Sequence, residues 1–160
     1  MIRGIDVFCI FLFASGCSPE PVADGRIRVD AEWPAVSQML GARCGSLDCH
    51  GHAGRPLRLY HGQGLRLSVD DRPGQGATTA DEHAANLRAA VGLEPELTAQ
   101  VMGEDGADPE RLTLFRKALG IEAHKGNTAR DDDVEACLRG WLASAIDVEV
   151  CARAEERERP

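Results

Sequence analysis

The sequence predicts a mainly α fold, a small helical domain with long irregular loops, and three observations support it. Apolar residues recur at helical spacing in several separate stretches, most clearly Val134, Cys137, Leu138, Trp141, Leu142 and Ala145. Helix-start signals stand before those stretches: Pro34, the capping-box pattern Thr79-Ala80-Asp81-Glu82, Asp108-Pro109 and the run Asp131-Asp132-Asp133. The longest connection, from Cys44 to about Gly76, is rich in glycine and irregular.

Each element follows from its own signals. Residues 32–43 read as a short helix, because Pro34 suits a first turn and Val36, Met39 and Leu40 fall at i, i+3 and i+4. Within the irregular stretch, residues 65–69 read as a short strand. Thr79 opens a helix that carries Leu87, Ala90 and Val91 on one face, and residues 95–102 supply another turn or two. Asp108 as N-cap and Pro109 at the first position start a helix that turns Leu112, Phe115 and Leu119 inward and ends at Gly120. The last helix is expected over 131–145, with negative charge at its start where the dipole favours it. Residues 153–160 read as a disordered, solvated tail.

Composition narrows the function classes. The chain of 160 residues holds one domain's worth of core, and its net charge of −8 speaks against a nucleic-acid partner. Residues 1–16 combine a positive start, a compact apolar stretch and small residues, the pattern of an export signal. Ala14-Ser15-Gly16-Cys17 resembles a bacterial lipobox, which implies a lipid on Cys17 as the new N-terminus. Ser18 after it implies outer-membrane sorting, on the periplasmic side, with residues 17–31 as tether and residues 32–152 as the domain. A soluble secreted protein cut nearby is the alternative.

Export changes the meaning of the thiols. With Cys9 removed and Cys17 lipidated, Cys44, Cys49, Cys137 and Cys151 remain for an oxidising compartment. Two bridges, or one bridge plus a cofactor attachment, would use all four. Sequence order suggests Cys44 with Cys49 and Cys137 with Cys151, though four cysteines allow three connectivities.

Chemistry concentrates in Cys44-Gly45-Ser46-Leu47-Asp48-Cys49-His50-Gly51. Two thiols can add to the two vinyl groups of a haem while the adjacent imidazole reaches the iron from the same side. The usual motif separates the cysteines by two residues, and here there are four. This segment, with Arg55-Pro56-Leu57-Arg58-Leu59-Tyr60 and Leu119-Gly120-Ile121-Glu122-Ala123-His124-Lys125-Gly126, resembles cytochrome-c-like bacterial lipoproteins with the wider motif. The helix before Cys44 and the last helix with Trp141 resemble the first and last helices of class I c-type cytochromes, which cross near the haem edge.

The resemblance implies thioethers at Cys44 and Cys49, His50 as proximal iron ligand, and a second ligand from a loop before the final helix. His124 fits that place; Met102 is the alternative, and its thioether would raise the potential. His52, His61 and His83 are further candidates. Haem c, iron and a redox partner protein follow from this reading, with attachment to the membrane through lipid. Three other readings stay open: a simple Cys44–Cys49 disulfide, a zinc site from Cys44, Cys49, His50 and His52, or a haem-free lipoprotein stapled by two disulfides and acting as an interaction or structural module. Cys137 and Cys151 are expected to form a structural staple. Arg55, Arg58 and Arg66 either neutralise haem propionates or solvate a loop. No Gly-x-Ser-x-Gly, phosphate loop or His-Glu-x-x-His is present, so no enzyme is expected.

Overall fold

The computed structural model describes residues 30–126 and 130–156. Residues 1–29, on which the expected signal and the expected lipidation of Cys17 fall, lie outside them, as do residues 157–160. The fold is mainly α, as the sequence predicts: six helices and, among the described residues, no strand. Helix α1 covers Trp33–Cys44, α2 Ala80–Val91, α3 Pro95–Gly103, α4 Thr113–Ala118, α5 Asp132–Leu142 and α6 Val148–Glu156. None of them is long and apolar enough to cross a membrane.

Local chemistry explains most of the boundaries. Thr79 caps α2 as a full capping box, its side chain accepting from the Glu82 amide while the Glu82 carboxylate accepts from the Thr79 amide. Asp131 caps α5 by accepting from the amides of Asp133 and Val134. Gly120, at φ +65, ends α4 in the left-handed conformation that glycine adopts most easily. Arg43 at the end of α1 pairs with the capping Asp131 at 3.3 Å, which ties the start of α5 to the residue before Cys44.

The structure differs from expectation in four places. The strand over 65–69 is absent; only an isolated bridge joins Tyr60 to Leu65, because the turns around Gly62 and Gly64 leave no run of partners. Asp108 does not cap a helix. It lies in the left-handed region, so Pro109–Arg111 forms one 3-10 turn and extended Leu112 separates it from α4. Helix α5 stops at Leu142, three residues early, at a positive-φ Ser144. Residues after it form α6 as far as Glu156, with Cys151 and Ala154 buried, so residues 153–156 are helix and not tail. Asp147 caps this helix by accepting from the amides of Glu149 and Val150, and the Cys137–Cys151 disulfide holds it against α5.

The core lies where α1, α5 and α6 meet. Trp33, Val36, Met39 and Leu40 of α1 face Leu138, Trp141 and Leu142 of α5, all at most 2% exposed. Burying each such side chain is worth roughly 1.5–3 kcal/mol. Trp33 and Trp141 meet at 5.1 Å between ring centroids in a tilted pair, so α1 and α5 are in contact through their aromatics. A polar seam joins α2 to the irregular segment. The Asn86 side chain donates to the Tyr60 carbonyl and accepts from its amide, supplying the partners a neighbouring strand would give. That seam holds residues 57–61 in place, and those residues support the site described next.

Candidate functional site

The Cys44–Gly51 segment is a tight backbone turn. The His50 amide donates to the Cys44 carbonyl at 3.0 Å, and the amides of Cys49 and Gly51 both donate to Ser46 at 2.9 Å. Gly51 is required by close approach, since a Cβ there would stand 2.2 Å from the Gly45 carbonyl oxygen. The Leu59 amide donates back to the His50 carbonyl at 2.8 Å, which fixes the backbone on its other side.

The His50 ring has a hydrogen-bonding partner at each nitrogen, the Leu57 carbonyl at Nδ1 and His124 at Nε2. Its Nδ1 lies 2.9 Å from the carbonyl oxygen of Leu57. A carbonyl only accepts, so Nδ1 carries the proton, and in the neutral ring the lone pair is on Nε2. An imidazole whose far nitrogen donates to a backbone carbonyl is the usual arrangement of a metal-ligating histidine. Sequence reading did not single out the Leu57 carbonyl, because a backbone acceptor leaves no mark on residue type.

His124 stands opposite. Its loop is pinned to α4 by Lys117, which pairs with Glu122 at 2.6 Å and donates to the Ala123 carbonyl at 3.3 Å, and by Arg116, which pairs with Glu122 at 2.9 Å. The Nε2 atoms of His50 and His124 are 3.4 Å apart, and the ring planes differ by 26°. The 5.6 Å between centroids exceeds the nitrogen separation by about the sum of two ring radii, so the rings meet end to end and not face to face. Burial pushes the His124 imidazole below the usual histidine range, and His50, Lys117 and Arg55 nearby add to the effect while Glu122 opposes it. Neutral His124 offers a ring nitrogen to an ion.

These residues border a cavity of about 240 Å³, lined by Cys44, His50, Pro56, Leu57, Leu93, Thr113, Leu114, Lys117, Ala118 and His124. Cys44 and Cys49 remain thiols, so the local Cys44–Cys49 bridge that sequence order suggested is not formed. The Cys137–Cys151 bridge is formed, as expected. Met102 sits partly buried against the core from α3 and does not line the cavity. His52 is exposed and accepts from the Gly54 amide; His83 bonds the buried Ser37 hydroxyl; neither is beside His50. Among the described residues no group of three or more His, Cys, Asp or Glu side chains stands close enough to hold a metal ion, so the Cys44, Cys49, His50 and His52 zinc set is not assembled.

The residues fit an iron-centred macrocycle. Two opposed imidazoles and the Cys44 thiol on an apolar lining, with Cys49 outside that lining on the adjoining turn, are the groups that would hold an iron and anchor its macrocycle. No family model matches the chain, and no curated protein or solved structure matches it.

Proposed function

We propose that this chain is a membrane-anchored c-type cytochrome-like protein that binds one covalent haem c and passes single electrons in the cell envelope. The observation that carries the reading is the end-to-end pairing of His50 and His124, which lie 74 positions apart and bring their Nε2 atoms to 3.4 Å beside the Cys-x4-Cys-His segment. Bound haem would supply one-electron exchange at iron. The chain's own residues do the rest. Cys44 and Cys49 anchor, and His50, held by the Leu57 carbonyl, ligates on one side. His124 ligates on the other, and Leu57, Leu93 and Leu114 exclude water. His50 and His124 would both be taken up in holding the iron, which suits electron passage to a protein partner and not turnover.

The export signal, lipidated Cys17 and outer-membrane placement on the periplasmic side complete the proposal from the sequence. Intact mass under denaturing, reducing conditions tests it, on protein matured in a host that attaches haem. The expected result is a mass raised by one haem and a Soret band that survives denaturation, both lost in Cys44→Ser/Cys49→Ser. A bare polypeptide mass from that host overturns the reading and leaves the haem-free, disulfide-stapled interaction module.

A further inference from the structure

Helix α4 forms one wall of the cavity, through Thr113, Leu114, Lys117 and Ala118, and it also carries the loop that presents His124. With six residues it is too short to stand on its own hydrogen bonds, and Leu112 at its N-cap position has no side-chain acceptor for its first amides. That task falls to Glu94, 19 positions before Thr113. Its carboxylate accepts from the Thr113 amide at 2.6 Å and from the Thr113 hydroxyl at 3.0 Å. Two carboxylate oxygens take both bonds at once, a charge-assisted cap supplied from outside the helix.

From Thr113 the contacts continue to the His124 loop. The Thr113 hydroxyl accepts from Arg116 Nη2 at 3.1 Å, and Arg116 Nε donates to the Glu122 carboxylate at 2.9 Å. The Arg116 carbonyl accepts from the amides of Ile121 at 2.9 Å and Glu122 at 3.3 Å. Glu94 itself is placed independently of α4. It stands at the N-cap of α3, where its carbonyl accepts from the Thr98 amide at 2.8 Å, and the preceding Leu93 lines the cavity. His50 takes its support from other residues, Leu57 and Leu59. The two imidazoles are thus held by separate contacts, and Glu94 serves those of His124.

We propose that Glu94 is a positioning residue for His124, acting through Thr113 and Arg116 to keep that ring facing His50 across the bound group; the inference rests on the haem reading above. Removing the carboxylate uncaps α4 and loosens the loop built on it, while His50 stays in place.

The test uses the full haem-loaded, oxidised protein with cyanide as the probe, because cyanide needs the position that His124 vacates. Apparent affinity rises in proportion to the fraction of molecules with that position open. One lost helix cap shifts such an equilibrium about fivefold, so Glu94→Ala is expected to bind cyanide about fivefold more tightly than the wild type. Cys137→Ser/Cys151→Ser, changed at two residues that do not line the cavity, should lose stability and keep the wild-type cyanide affinity. Unchanged affinity in Glu94→Ala, or an equal rise in the variant without the bridge, overturns this inference and leaves the haem reading standing. A wild-type chain that loads no haem overturns both. Should Glu94→Ala not accumulate, Glu94→Gln decides, since its amide has one acceptor oxygen in place of two and no charge. Tightened cyanide binding in that variant supports the positioning role, and wild-type affinity refutes it.

Discussion

The buried pair of Arg66 and Glu82 gives the sharpest stability prediction. Glu82 is fully buried and its carboxylate accepts four bonds: from Arg66 Nε at 2.9 Å and Nη2 at 3.3 Å, from the Leu67 amide at 2.9 Å and from the Thr79 amide at 2.8 Å. Glu82→Ala therefore strands a guanidinium whose side chain is 3% exposed, together with two amides. Breaking a buried pair from one side costs about 3–5 kcal/mol. Arg66 keeps the carbonyls of Gln75 and Ala77 and has Asp71 at 3.6 Å, which places the expected loss near the lower end, about 3 kcal/mol. Urea unfolding at neutral pH reads it as a lowered midpoint with unchanged slope. Burial works to raise the Glu82 pKa, but the Arg66 bond and charge and the Thr79 and Leu67 amides outweigh it and hold the carboxyl below its ordinary value. The pair's stabilisation is thus full above the unfolded carboxyl value, about 4.3, and is lost as pH falls through the lower folded value. A loss in Glu82→Ala below about 1 kcal/mol, the range of an exposed ion pair, would refute the reasoning.

Other expectations follow from single contacts. Replacing both Cys137 and Cys151 by Ser opens a bridge spanning 14 positions, which is worth about 3 kcal/mol by chain entropy, and thermal unfolding should register that loss while α6 exchanges its amides faster. Gly51→Ala forces a Cβ onto the Gly45 carbonyl oxygen, and the strain of about 1–3 kcal/mol should appear in urea unfolding together with a lower yield of haem-loaded protein. Burial holds His61 and His83 below the usual histidine range, against the opposing charges of Glu155 and Glu82 at His61 and of Glu82 at His83. Their folded values lie under the unfolded one, so stability should be full above about pH 6.5 and decline as pH falls below it. A flat urea midpoint between pH 7.5 and 5.5 would count against that burial.

The sequence made the helices legible wherever a cap and an apolar stripe coincided. Thr79 with Glu82 and Asp131 before Val134 mark α2 and α5 because one local interaction fixes each start. Helix α6 was missed although Asp147 caps its start by accepting from the amides of Glu149 and Val150, and its buried Cys151 and Ala154 face the core beside the bond to Cys137. Asp108-Pro109 misled in the other direction, because a left-handed Asp108 and extended Leu112 serve the packing of Leu112, not a continuous helix. At the site, residue spacing pointed to Cys44, Cys49 and His50. The facing of His50 and His124 depends on Glu122, Lys117 and Arg116 folding one loop onto α4, a non-local arrangement that the sequence does not display.

The central claim is that one iron is held between the imidazoles of His50 and His124. Low-temperature electron paramagnetic resonance of the oxidised, haem-loaded protein tests it most directly. The account predicts a low-spin spectrum of the bis-imidazole type that turns high-spin in His124→Ala, because that loop supplies the second nitrogen 3.4 Å from the first. A high-spin wild-type spectrum, or a low-spin signal unchanged in His124→Ala and lost in Met102→Ala, would contradict it.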